Sequence, residues 1–179
     1  VGKNIHPEDK MWYKRNFTLS ENWKEKDVIL HFEAVDYKCA VWVNDILVGT
    51  HKGGFDRFSF NITPYLKSKG QQKIVLAVED ATNFSSQPRG KQQINSSGIY
   101  YTPVSGIWQT VWLEAVSSEA YINQVKTTTD IDNSTVRLIP IGNVALIEGY
   151  QVAIDVFFDD KKVASGKTQP NNPVELKIA

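Results

Sequence analysis

Val41-Trp42-Val43-Asn44-Asp45-Ile46-Leu47-Val48-Gly49 is the stretch that decides the fold. Two β-prone runs flank Asn44-Asp45, and Asn and Asp tolerate the positive φ that a two-residue hairpin turn demands. The segment therefore reads as a tight antiparallel hairpin. The same period of two continues outward on both sides, which is the pattern of strands with one buried face. Upstream, Val28, Leu30, Phe32 and Ala34 share one face, and Ile29, His31 and Glu33 the other. Downstream, Phe58, Phe60 and Ile62 alternate with Ser59 and Asn61, and Ile74, Leu76 and Val78 alternate with Val75, Ala77 and Glu79. Residues 107–116 read as one further strand, with Trp108, Thr110 and Trp112 on one side and Ile107, Gln109, Val111 and Leu113 on the other. A single helical turn is expected where Thr63 can cap, Pro64 can open the turn and Gly70 can close it, with Tyr65 and Leu66 as its packing face. No long amphipathic helix is visible. Many short strands separated by turn signals point to an all-β chain, a β-sandwich or jelly roll.

A boundary falls near Ser117-Ser118. All the tryptophans precede it and none follows. Four more strands are expected at 122–129, 135–141, 150–158 and 162–167, with a fifth at 174–178. That is fewer than the about seven strands of an immunoglobulin-like domain. The expected organisation is a first domain at 1–117 and a second at 118–179 that is incomplete or a small sandwich.

Composition narrows the chemistry. Twenty Lys and Arg balance 20 Asp and Glu over 179 residues, which argues against an electrostatic footprint for nucleic acid or a membrane surface. No apolar run approaches the roughly 18 residues of a membrane span. Cys39 is the single cysteine, so no internal disulfide framework or Cys-rich zinc site can form. It sits in an apolar run and reads as a small buried hydrophobe. His6, His31 and His51 show no metal-ligand spacing, and neither a cofactor nor a metal is expected. Gly53-Gly54 reads as a turn with unusual backbone angles. Asp56, Asp80 and Glu114 read as surface or turn-capping carboxylates. Val1 at the start and a strand-like pattern at the end give the expectation of a part of something longer, and nothing at the start reads as a signal peptide. Periplasmic, extracellular and cytoplasmic locations all stay open.

Two stretches go beyond generic β. One is Val41-Trp42-Val43-Asn44-Asp45 through His51-Lys52-Gly53-Gly54-Phe55. The other is Pro88-Arg89-Gly90-Lys91-Gln92 followed by Gly98-Ile99-Tyr100-Tyr101-Thr102 and Ser105-Gly106-Ile107-Trp108-Gln109-Thr110-Val111-Trp112-Leu113-Glu114. In this order they resemble the N-terminal sugar-binding-type domain of glycoside hydrolase family 2, which includes β-galactosidases, β-glucuronidases and β-mannosidases. The resemblance spans Trp12 to Val116. It implies a galactose-binding-like jelly roll, then an immunoglobulin-like sandwich whose start corresponds to the tail after Ser118, then a catalytic (β/α)₈ barrel that is absent here. The family's acid/base Glu follows an Asn, and this chain has no Asn-Glu dipeptide. A retaining mechanism needs two carboxyl groups about 5–5.5 Å apart, and no residue here is nominated for either role.

In the family the loop before the Gly-Ile strand can reach the substrate, in several members with an Asp. The stretch 89–106 has no acid. Sugars stack their C–H faces on aromatic rings and hydrogen-bond to planar polar groups, so Arg89, Lys91, Gln92, Tyr100, Tyr101 and Trp108 are the candidate substrate-binding residues. Packing of Trp108 and Trp112, and pairing of Arg89 or Lys91 with a carboxylate, stay open as the plainer alternatives. The resemblance implies a non-catalytic N-terminal region of an exo-β-glycosidase, with β-galactosidase the preferred reading. It would brace the barrel of the same polypeptide and help shape the sugar pocket, and a homo-oligomer is compatible with it. The alternative is a stand-alone carbohydrate-binding module.

Overall fold

The computed structural model describes residues 6, 8–142 and 149–178. The chain separates into two compact units that divide between Val116 and Ser117. The first unit carries β1 (Lys10–Phe17), β2 (Lys26–Phe32), β3 (Val35–Asp36), β4 (Lys38–Val43), β5 (Ile46–Lys52), β6 (Phe58–Asn61), β7 (Gln72–Glu79), β8 (Gly106–Ile107) and β9 (Val111–Ser117). They form a four-stranded antiparallel sheet in the order β1-β7-β4-β5, a three-stranded sheet in the order β6-β2-β9, and a short β3-β8 pair. The core is the shared inner face of the two larger sheets. Val28, Leu30 and Phe32 of β2 meet Cys39, Val41 and Val43 of β4 and Leu76 and Val78 of β7, all buried. Full burial of a side chain of this size contributes about 1.5–3 kcal/mol, so this alternation is the main force holding the sandwich together. The chain is all-β, as the period-two pattern requires.

The hairpin forms where it is expected. Asn44 and Asp45 adopt φ of 50° and 70°, and Asn44 does more than turn the chain. Its Nδ2 donates to the Tyr65 carbonyl and to Gln72 Oε1, each at 2.8 Å, and its Oδ1 accepts from the Lys73 amide at 3.0 Å. The turn is thereby tied to β7. Asn44→Ala loses all three bonds and puts a Cβ residue in a left-handed conformation without compensation. It should lower unfolding free energy by about 1.5–2 kcal/mol. Asn44→Gly, which restores the backbone freedom alone, should recover part of that loss in urea melts.

Two expectations are corrected. The turn near Thr63 is a short 3-10 turn at Thr63–Tyr65, and Thr63 lies inside it with no capping bond. Its hydroxyl accepts the Val28 amide at 2.8 Å instead, a tertiary bond that outcompetes a local cap. Gly70 does have a positive φ of 81°, but beyond the end of that turn. Residues 107–116 are not one strand. β8 pairs with β3, residues 108–110 interrupt, and β9 joins β2. At the break the Trp108 indole donates to the Gly54 carbonyl. A further strand, Lys10–Phe17, lies at the sheet edge, and its mixed charges conceal it in the sequence.

The second unit contains β10 (Ile122–Asp130), β11 (Thr135–Gly142), β12 (Val152–Phe158), β13 (Lys161–Thr168) and β14 (Val174–Lys177). β10-β11-β14 make one antiparallel sheet and β12-β13 a hairpin. Val136, Leu138 and Leu176 are its buried centre, packed by Ile154, Val156 and Ala164. Leu176 packs closely over Gly166, where a Cβ would stand 2.5 Å from Leu176 Cδ2.

Candidate functional site

β3 ends on Asp36, a carboxylate only 5% exposed. It is fixed from two sides. Asp36 pairs with Gly106 across β3 and β8, and the Gly53-Gly54 turn packs directly on it. Gly53 has φ 146° and donates its amide to the Tyr37 carbonyl at 3.0 Å. A Cβ on Gly54 would lie 2.6 Å from Asp36 Oδ1. The glycine pair therefore serves a close approach as well as a turn.

Above Asp36 lies a cleft of about 310 Å³ lined by Phe55, Gln92, Tyr101, Thr102, Val104 and Trp108. Trp108 Nε1 donates to the Gly54 carbonyl at 2.8 Å, and Phe55 meets the indole edge-on at 6.0 Å between centroids. The two rings form one wall. Tyr101 forms another and is 65% exposed, so its ring is free to stack. Gln92 closes the polar side. Its Oε1 accepts the Val104 amide at 2.6 Å and its Nε2 donates to the Arg89 carbonyl at 3.2 Å.

The loop of residues 89–105 is held to the sandwich by Asp80. This carboxylate is 6% exposed. It accepts from the Thr82 amide at 2.7 Å, from the Thr82 hydroxyl at 3.2 Å, from Gln87 Nε2 at 2.5 Å and from the Ser105 hydroxyl. Of the two readings the sequence allows for Asp80, surface or turn-capping, the structure shows the turn cap, made by a buried carboxylate. The loop is then zipped by Tyr101 to Lys91 and Gln93 to Tyr101 backbone bonds of 2.9 and 3.0 Å.

Burial pushes the Asp36 carboxyl up to about 6; the Asp80 charge pushes the same way, and the Gln92 amide opposes both. Asp36 Oδ1 is buried and has no hydrogen-bond partner among the described residues. His51 Nε2 and Arg89 Nε share that condition. His51 stacks on Phe58 at 3.9 Å, and its Nε2 borders Gly53. Unpaired buried polar atoms are costly, by about 1–3 kcal/mol each, and Asp36, whose Oδ1 lies against Gly54, belongs to the cleft lining. Cys39 is buried, and burial pushes its thiol up to about 11, so it is inert at neutral pH.

The structure brings Gln92, Tyr101 and Trp108 together on the cleft. Arg89 joins them through its carbonyl and a half-buried guanidinium. Lys91 and Tyr100 are exposed on the same loop and do not line the cleft. Trp112 stacks on His31 at 3.9 Å and donates to Glu33 Oε1 at 2.9 Å, away from the cleft lining. Sequence reasoning missed Asp36 and Phe55. Phe55 had a signal in its place after Gly53-Gly54; Asp36 had only its place between two apolar neighbours.

The cleft thus joins aromatic walls to a buried carboxylate and a planar amide within the first unit. Residues 3–117 match the family described as glycosyl hydrolases family 2, sugar binding domain. The chain belongs to that family. It is 32% identical over 114 residues to a β-galactosidase of Thermoanaerobacter pseudethanolicus, covering 64% of this chain and 14% of that protein. Its fold matches the crystal structure of a Bacteroides uniformis β-glucuronidase with TM-score 0.63 and 25% identity, covering 94% of this chain and 20% of that one. An uncultured Clostridium sp. β-glucuronidase matches with TM-score 0.69 at 22% identity, covering 95% of this chain and 30% of that one. The chain thus spans a minor part of the length of each relative.

Proposed function

We propose that this chain is the non-catalytic N-terminal region of an exo-acting, retaining β-glycosidase, and that the cleft above Asp36 forms part of its sugar pocket. Residues 1–117 are then the jelly-roll domain. Residues 118–179 are an incomplete immunoglobulin-like domain, a reading supported by the exposure of Ile122, Val125, Phe157 and Phe158 in the second unit. The reacting carboxylates lie in a barrel of the same polypeptide, and this region braces it.

The single observation that carries the cleft assignment is Asp36 Oδ1, buried and without a partner at the floor of an aromatic cleft. A hydroxyl-rich pyranose supplies the missing donors, while Phe55, Tyr101 and Trp108 take its C–H faces. The same carboxylate favours a neutral β-galactoside over a β-glucuronide, whose own carboxylate would meet like charge there. Relatives bearing both names fit the fold, so the assay decides. The parent enzyme should hydrolyse nitrophenyl β-galactoside faster than the glucuronide, and Asp36→Ala should lower kcat/KM for the galactoside by about tenfold or more. The isolated chain should turn over neither. A faster glucuronide reaction overturns the substrate assignment, and an unchanged kcat/KM in Asp36→Ala overturns the cleft assignment. Micromolar binding of free galactose by the isolated chain, abolished by Asp36→Ala, would favour a stand-alone module.

A further inference from the structure

The outward face of the β1-β7-β4-β5 sheet is built unlike an ordinary solvated face. Trp12 is 62% exposed, and its ring lies 5.8 Å from that of Trp42 with a 30° tilt. The strand register explains the platform. Trp12, Ala77 and Ala40 occupy one cross-strand rung, and Lys14, Val75, Trp42 and Leu47 the next. Small alanines beside the indoles leave the ring faces standing over a low floor. Contiguous exposed apolar surface of this kind marks an interaction site.

The border of the platform is basic. Lys10, Glu79, Lys38 and Lys52 form the adjoining rung. Glu79 is shared by Lys10 at 2.7 Å and Lys38 at 3.8 Å, so one carboxylate serves two ammonium groups. Lys14 adds positive charge beside Trp42 across Val75. None of these residues lines the cleft above Asp36.

We propose that this face is a second carbohydrate site that takes an acidic oligosaccharide, its pyranose faces stacked on Trp12 and Trp42 and its carboxylates met by the lysine border. The charge of the border selects this occupant. A second copy of the same face would set lysines against lysines. A nucleic acid would need an extended basic track, whereas the chain as a whole carries formal net charge +0. The proposal stands apart from the cleft assignment and survives its failure.

The test is calorimetric titration of the 179-residue chain with a galacturonic acid hexasaccharide, with cellohexaose as the neutral control. The acidic hexamer should bind and the neutral one should bind at least about tenfold more weakly. Affinity should fall severalfold as NaCl rises from about 0.05 to about 0.5 M. Trp12→Ala should weaken binding about tenfold or more, and Lys14→Ala with Lys38→Ala should remove the preference for the acidic hexamer. These side chains are solvent-facing, so the variants should keep the parent's thermal melt. The proposal is overturned by no binding of the hexamer, equal binding of the neutral sugar, unaltered affinity in Trp12→Ala, or tighter binding of a single-stranded oligonucleotide. A dimer in sedimentation that Trp12→Ala dissolves would also overturn it, assigning the face to self-association.

Discussion

Asp80→Ala should destabilise the first unit by about 3–4 kcal/mol and free the loop that forms the cleft. The cost arises from what the carboxylate leaves behind. The Thr82 amide, the Gln87 amide group and the Ser105 hydroxyl all lose their acceptor in a buried place, and an unsatisfied buried donor costs about 1–3 kcal/mol. Thr82 adds to it. A β-branched residue at φ 46° is unfavourable by itself, and its two bonds to Asp80 are what hold it there. The loss should appear in urea melts, together with new proteolytic cleavage within residues 89–105. Asp80→Asn keeps an acceptor oxygen and should cost markedly less. It also removes a negative charge that raises the Asp36 carboxyl, so Asp36 should titrate lower in this variant even where the fold is intact. Cleavage and stability equal to the parent in Asp80→Ala would mean the loop is anchored by other contacts.

What the sequence makes legible is set by how local the deciding physics is. The Val41–Gly49 hairpin and the inward faces of β2, β4 and β7 are visible because alternation and turn chemistry act between near neighbours. The break at residues 108–110 is invisible because apolar alternation continues straight through it. The change of sheet is seen only in the pairing of β8 with β3 and of β9 with β2, and the Trp108 indole at the break bonds Gly54, 54 residues away. Gln92, Tyr101 and Trp108 are legible as sugar-type chemistry from the family motif, but nothing in the motif tells which of its members face the cleft. Asp36 and Asp80 illustrate the same limit. Each is an acid at a strand end, where solvent is the usual surrounding. Burial of Asp36 follows from the Gly53-Gly54 turn folding over it, and Asp80 is bonded by its near neighbours Thr82 and Gln87 and by the distant Ser105, the one donor that no local pattern reveals.

Asp36→Asn should make the chain more stable at pH 7, by about 2–3 kcal/mol, while leaving it nearly unchanged near pH 4. Burial raises the Asp36 carboxyl from 3.8 to about 6 in the folded protein. Between those values the folded chain holds a proton that the unfolded chain has released, so stability falls as pH rises through this window. At 1.36 kcal/mol per pH unit the upper bound of the loss is about 3 kcal/mol, complete above pH 6. Asparagine cannot ionise, so the difference between variant and parent should grow from pH 4 to pH 6 and then level off. Paired urea melts across pH 4–8 measure it. A difference that stays flat with pH would show that Asp36 is ionised as easily folded as unfolded. In the parent enzyme the same substitution should lower kcat/KM, because the neutral amide accepts sugar hydroxyls less strongly than a carboxylate. A variant that gains stability as it loses turnover would show that the folded protein bears the charge of Asp36 for a ligand and not for its own fold.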